Sequence, residues 1–170
     1  MKADILLTTP IYARTQAVLE KEFNCHKLFA TENRTAFLKS VSAQVRAIAS
    51  FGSSVDAALM DALPKLEIIS NFGVGVDSID LAAARKRGII VTNTPDVLND
   101  CVADTAMALT LNVMRKFPQS EAYLRSGFWP TRGDYQKTTS LGGKTMGVLG
   151  LGRIGEAIAN RAQRSKHYQP

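Results

Sequence analysis

Gly150-Leu151-Gly152-Arg153-Ile154-Gly155 follows a strand-like run, Thr145-Met146-Gly147-Val148-Leu149, and leads into a helix-like one, Glu156-Ala157-Ile158-Ala159. Strand, glycine loop and helix in that order form the setting in which such a motif grips the pyrophosphate of a dinucleotide. The first glycine permits a tight turn and the second lets backbone approach phosphate. The third lets helix and strand close on each other, and the helix N-terminus offers free N–H groups. The competing reading is a glycine-rich turn with no ligand, and the strand–loop–helix setting argues against it. A loop of this kind belongs to a parallel α/β sheet, with further strands expected beyond it.

Residues 1–96 repeat the strand–helix alternation. Strands are predicted at 4–8, 26–30, 45–50, 67–71 and 89–92, and helices at 12–23, 32–43, 55–63 and 79–86, the last closed by Gly88. Five strands separated by helices predict a parallel sheet covered on both faces, with right-handed crossovers. Every loop after a strand then lies along one edge, where ligands bind in such sheets. Two glycine loops fall there, Phe51-Gly52-Ser53-Ser54 and Phe72-Gly73-Val74-Gly75-Val76-Asp77. Successive N–H groups in the second could cradle a carboxylate. The residues alone favour a plain strand–helix turn, with Asp77 or Ser78 capping the next helix.

Asn93-Thr94-Pro95-Asp96 reads as a boundary, because proline cannot continue a central strand. Asn99 or Asp100 is expected to cap the following helix, 102–117. Apolar residues surround that helix, which predicts burial on more than one side, either between subunits or between domains. A polar arm, 126–137, carries Trp129, the single tryptophan.

Composition narrows the function classes. The chain has 170 residues, 45% hydrophobic and 21% charged, as in ordinary globular proteins. It shows neither a signal-peptide pattern nor a membrane-length apolar run, so a cytoplasmic protein is expected. Net charge is +6, with +1 in residues 1–96 and +5 in residues 97–170. Those charges are spaced along solvated faces without interleaved aromatics, which speaks against nucleic acid. Cys25 and Cys101 lack metal or redox spacing and read as buried thiols. No metal-ligand cluster is present in the sequence. His26 and His167 are the two histidines, and neither is placed to act as a general acid.

Three stretches together resemble the D-isomer-specific 2-hydroxyacid dehydrogenase family, glyoxylate/hydroxypyruvate reductase type. They are Asn71–Leu81, Gly88–Asp104 and Leu141–Gly155, and the likeness extends over about residues 1–163. The resemblance implies a flavodoxin-like substrate domain over 1–96. From 97 to 170 it implies the first part of a Rossmann-type nucleotide-binding domain, with helix 102–117 and arm 126–137 in a homodimer contact. It implies reduction of a small 2-keto acid to the D-2-hydroxy acid with NADP or NAD. By position, the Val74 and Gly75 N–H groups would bind the substrate carboxylate, and Phe51 and Gly52 would line the pocket. Gly150, Gly152, Arg153, Ile154 and Gly155 would meet the pyrophosphate, and Thr105 the nicotinamide.

The family's catalytic Arg, Glu and His lie downstream of the phosphate loop, so none is expected within these 170 residues. The tail from Gln163 to Pro170 is polar and lacks the family's next strand. A C-terminally truncated chain, inactive alone, is therefore expected. Two other readings stand beside it: a non-catalytic binding or dimerisation module, and a family member acting on another 2-hydroxy acid of the phosphoglycerate or lactate type.

Overall fold

A computed structural model describes residues 2–164, so the predictions for the polar tail beyond Arg164, His167 among them, lie outside the described residues. The chain divides into two compact units, with the division between Pro95 and Asp96.

The first unit is a five-stranded parallel sheet in the order β2-β1-β3-β4-β5. Its strands are β1 (Asp4–Leu7), β2 (Asn24–Lys27), β3 (Val45–Ser50), β4 (Ile68–Asn71) and β5 (Ile90–Thr92). Between them run α1 (Ala13–Glu22), α2 (Arg34–Val41), α3 (Ala57–Asp61) and α4 (Leu81–Lys86). Apolar side chains align across the strands. Leu6 lies opposite Ile48, Ile48 opposite Ile69, and Ile69 opposite Val91. Leu6, Ile48 and Ile69 are fully buried, as a parallel sheet covered on both faces requires. The core extends from Leu6 to Ile89, with helices contributing Leu38, Leu59, Met60 and Ala84. The chain order reverses between β1 and β3, which opens a crevice outside the strand carboxyl ends.

Two local predictions shift. The second strand was expected at 26–30 but occupies Asn24–Lys27, followed by a 3-10 turn at Leu28–Ala30. Asn24 N–H donates to the Ala3 carbonyl and starts the pairing early, and Leu28 drops into the core from the turn. Helix α4 is capped by Asp80, not by Asp77 or Ser78: the Asp80 carboxylate accepts from Ala83 N–H at 2.8 Å. The backbone before it is occupied in a short parallel bridge, with Val55 N–H donating to Ser78 O and Asp80 N–H to Val55 O. Asn33 and Asp56 cap α2 and α3 in the same way.

The second unit is helical: α5 (Asn99–Arg115), α6 (Phe117–Arg125), α7 (Phe128–Arg132) and α8 (Arg153–Arg164). Asn99 and Asp100 lie inside α5 and do not cap it. Asp100 and Asp104 instead hold the Arg161 guanidinium of α8, at 3.0 and 2.6 Å. Helix α5 ends before the predicted 117: Lys116 turns left-handed, and α6 starts at Phe117 with Pro118 in its first turn. The apolar residues of α5 are not buried all round. Ala103 is buried, whereas Leu109 and Val113 are exposed. The run 145–149 is not a strand. No neighbouring strand among the described residues takes its N–H and C=O groups, and Leu149 is wholly exposed. No helix among the described residues is long and apolar enough to cross a membrane.

Candidate functional site

The loops after β1, β3, β4 and β5 gather at one edge of the sheet, and the loop after β4 has the most directive chemistry. Asn71, the last residue of β4, is 4% exposed. Its Nδ2 donates to the Gly75 carbonyl at 2.8 Å and to the Gly73 carbonyl at 3.5 Å. Thr94 N–H also donates to Gly73 O, at 3.0 Å. Asn93 Nδ2 takes the carbonyl between them, Val74 O, at 2.8 Å. Three successive carbonyls are thus held by donors from β4 and from the loop after β5. The N–H groups of Val74 and Gly75 have no acceptor among the described residues. Unspent, adjacent N–H groups on a turn are the kind of donors from which anion-binding concavities are built.

Sequence reading placed Val74 and Gly75 at this point but missed Asn71 and Asn93, which position them. The available signal was a polar residue at the end of an apolar strand, which must find buried partners. The turn is also tight. A Cβ on Gly73 would come within 3.3 Å of Asn71 Nδ2, and one on Gly75 within 3.1 Å of Asp77 Oδ2.

Phe51 and Gly52 follow β3 beside this turn. Gly52 has φ +65°, a left-handed conformation that suits glycine. Phe72 N–H donates to Ser50 O at 2.8 Å, joining the β3 and β4 ends. The Phe51 and Phe72 rings are 5.5 Å apart, and Tyr12, from the loop after β1, completes a group of three. The sequence reading took Phe72 only as part of its glycine loop and did not group it with Tyr12, since single exposed aromatics carry no pattern until loops bring them together. Between the loops after β1 and β3, a cavity of about 360 Å³ is lined by Thr8, Ser53, Arg34 and Leu59, among others. Ser53 Oγ donates to Thr8 Oγ1 at 2.6 Å inside it.

His26 has an acidic partner, but not at the ligand edge. Its Nε2 lies 2.8 Å from Asp4 Oδ1. Asp4 begins β1, however, so the pair belongs to the opposite end of the sheet from the Val74–Gly75 turn. The thiols also differ from expectation: Cys25 is half-buried and Cys101 exposed. Burial pushes the Cys25 thiol above its ordinary value.

In the second unit, Gly150 has φ +90°. A Cβ on Gly155 would collide with the Gly150 carbonyl oxygen, so the third glycine is what lets α8 close onto the loop. Around Gly152 there is open space, and Glu156 N–H donates to its carbonyl at 2.8 Å. The first-turn N–H groups of Arg153, Ile154 and Gly155 lie ahead of the intrahelical ladder. A left-handed first glycine, an open second and a close-packed third fit the demands of a pyrophosphate. Arg153 forms an exposed ion pair with Asp96 at 3.1 Å. Thr105 is exposed on α5 and turns its hydroxyl back to the Cys101 carbonyl at 2.9 Å.

A family model described as D-isomer specific 2-hydroxyacid dehydrogenase, catalytic domain, matches residues 5–165. Glyoxylate/hydroxypyruvate reductase A of Arabidopsis thaliana is 42% identical over 160 residues, 94% of this chain and 51% of that protein. A 2-hydroxyacid dehydrogenase structure from Ketogulonicigenium vulgare has a TM-score of 0.91 at 44% identity, covering 96% of this chain and 52% of that one. The NADPH-dependent glyoxylate/hydroxypyruvate reductase of Sinorhizobium meliloti, solved with NADP and malonate, has a TM-score of 0.82 at 40% identity. That match covers 97% of this chain and 51% of that one. The chain spans about half the length of the curated relatives it matches.

Proposed function

The chain belongs to the D-isomer-specific 2-hydroxyacid dehydrogenase family, and from that premise we propose that its protein reduces a small 2-keto acid of the glyoxylate/hydroxypyruvate class to the D-2-hydroxy acid, using NADP or NAD. Residues 1–96 form the substrate domain in this reading, and residues 97–170 belong to the nucleotide-binding domain. The observation that carries it is the turn after β4, where Asn71 and Asn93 occupy the carbonyls of residues 73–75 and leave the Val74 and Gly75 N–H groups to a carboxylate. Malonate, a small dicarboxylate, accompanies NADP in the Sinorhizobium meliloti enzyme and is consistent with an acid-binding role.

Each group of this chain then has a defined task. Val74 and Gly75 anchor the substrate carboxylate through charge-assisted hydrogen bonds. Phe51 and Gly52 wall the pocket beside it. The Gly150–Gly155 loop and the start of α8 hold the pyrophosphate, and Thr105 approaches the nicotinamide. A bound NADPH or NADH would supply the hydride. The single described histidine, His26, is paired with Asp4 at the far end of the sheet and is not placed to donate the matching proton. The 170-residue polypeptide alone is therefore expected to bind keto acid without turning it over. The homodimer contact through α5 and residues 126–137, and a cytoplasmic location, complete the same reading.

Titration of the ¹⁵N-labelled chain with oxalate tests it. The Val74 and Gly75 amides are expected to move first and most. Shifts confined to lysine-rich surfaces, with these two amides silent, would defeat the assignment. Clear NADPH oxidation with glyoxylate by the pure 170-residue chain would defeat the expectation of inactivity.

A further inference from the structure

The cavity of about 360 Å³ between the loops after β1 and β3 lies where the chain order reverses, the place at which parallel α/β sheets hold ligands. None of the residues that line it has a task in the function proposed above. Its hydroxyls are spent on one another and on the backbone. Ser53 Oγ donates to Thr8 Oγ1 at 2.6 Å, Thr8 Oγ1 donates to the Ala49 carbonyl at 3.4 Å, and Ser50 Oγ lies 3.2 Å from Ser53 Oγ. Leu38 and Leu59, both buried, supply apolar surface.

Two charges of opposite sign, Arg34 and Asp56, line the same cavity without pairing. Arg34 has no hydrogen bond or ion pair among the described residues. It opens α2, and a cation in the first turn of a helix works against the helix dipole. No acidic residue in that turn offsets it. Local structure therefore gives Arg34 no role. Asp56 caps α3 through one oxygen, Oδ1, which accepts from Leu59 N–H at 2.8 Å. Its other oxygen has no partner among the described residues.

We infer that this cavity is a binding site for a small α-amino acid, separate from the carboxylate turn. The ligand's carboxylate takes the Arg34 guanidinium, its ammonium takes the unspent oxygen of Asp56, and a short apolar side chain rests on Leu38 and Leu59. A plain anion would set its charge against Asp56, and a plain cation would set its charge against Arg34. A zwitterion answers both through charge-assisted hydrogen bonds, and its side chain leaves water for the apolar surface. The volume falls within the range of small-molecule sites, about 300–1,000 Å³.

Three probes of matched shape test the two charges separately: L-valine, isovalerate, which lacks the ammonium, and isobutylamine, which lacks the carboxylate. Each is titrated into the ¹⁵N-labelled 170-residue chain at slightly acidic pH. Valine is expected to move the Ser53 and Ser54 amides and the Arg34 Nε–H signal at millimolar concentration, while the Val74 and Gly75 amides stay still. Isovalerate and isobutylamine are each expected to bind roughly tenfold more weakly, the yield of one charge-assisted hydrogen bond. Arg34→Gln and Asp56→Asn should each weaken valine by a similar factor, and asparagine preserves the α3 cap, so that variant keeps its fold. Saturating oxalate should leave valine affinity unchanged. Silence of the Ser53, Ser54 and Arg34 signals would overturn the inference. Isovalerate binding as tightly as valine would make the cavity an anion site and overturn it too, as would valine affinity indifferent to both substitutions. Movement of Val74 and Gly75 alone, or competition by oxalate, would put valine on the carboxylate turn, overturning this inference and leaving that assignment standing. The probe comparison uses the unaltered chain, so the outcome does not depend on how a variant folds.

Discussion

Ile48 in the first unit and Leu149 in the second are both apolar residues in runs that read as central strands. Ile48 is fully buried, paired with β1 on one side and β4 on the other, and Leu149 is fully exposed without a strand neighbour. Around Ile48 the core gathers side chains from Leu6 to Ile89. In the second unit the described buried residues are Ala103 and Gly155. Hydrophobic pattern is therefore not sufficient to make a strand. A strand forms where neighbours take its N–H and C=O groups and helices cover its faces, and the first unit supplies both for itself.

The largest test of this contrast pairs two substitutions. Ile48→Ala should cost about 2–5 kcal/mol, as for other large-to-small changes in a core. Leu149→Ala should stay within about 0.5 kcal/mol, as at an exposed site. Urea unfolding followed by circular dichroism measures both, and a comparable loss for Leu149→Ala would erase the distinction. Hydrogen exchange sharpens the same point, with β1, β3 and β4 amides protected and those of 145–149 not.

Gly155→Ala probes a tightly packed point of the second unit. Its added methyl meets the Gly150 carbonyl, so the loop or α8 must shift, at a cost of about 1–3 kcal/mol. Displaced amide signals across Gly150–Gly155, faster exchange along α8 and weakened NADPH binding are the expected readouts. In the first unit, Asp80→Ala removes the α4 cap and should cost about 1 kcal/mol, whereas Asp77→Ala should leave α4 intact. Thermal melts of the two variants rank them directly.

The smallest effect concerns acid. Arg46 and Glu67 form an exposed double hydrogen bond between the β3 and β4 ends. The Arg46 guanidinium holds the Glu67 carboxyl below its ordinary value of 4.5. A depressed folded-state value means the pair contributes fully above pH 4.5 and loses that contribution as pH falls through the lowered value. Glu67→Gln should therefore be slightly less stable near neutrality and flatter in its acid unfolding profile. High salt should shrink the difference, as for any exposed ion pair.

Much of this was legible in the linear chain. The alternation of apolar runs and helices up to Thr92 dictated a parallel sheet, because buried parallel strands must be apolar on both faces and crossovers must be helical. The glycines of both loops marked backbone that approaches a ligand or packs closely, and three motif stretches identified the family. Other features depended on the fold. Asn71 and Asn93 are 22 residues apart and act as one device, because β4 and β5 are neighbours and bring both amides to the same turn. Tyr12 meets Phe51 and Phe72 because the chain order reverses between β1 and β3. Asp80, not Asp77, caps α4 because a bridge to Val55 occupies the intervening backbone. Composition and periodicity are local and survive in one dimension. The direction of an N–H group or the meeting of three rings is set by which strands lie side by side, and only the folded sheet decides that.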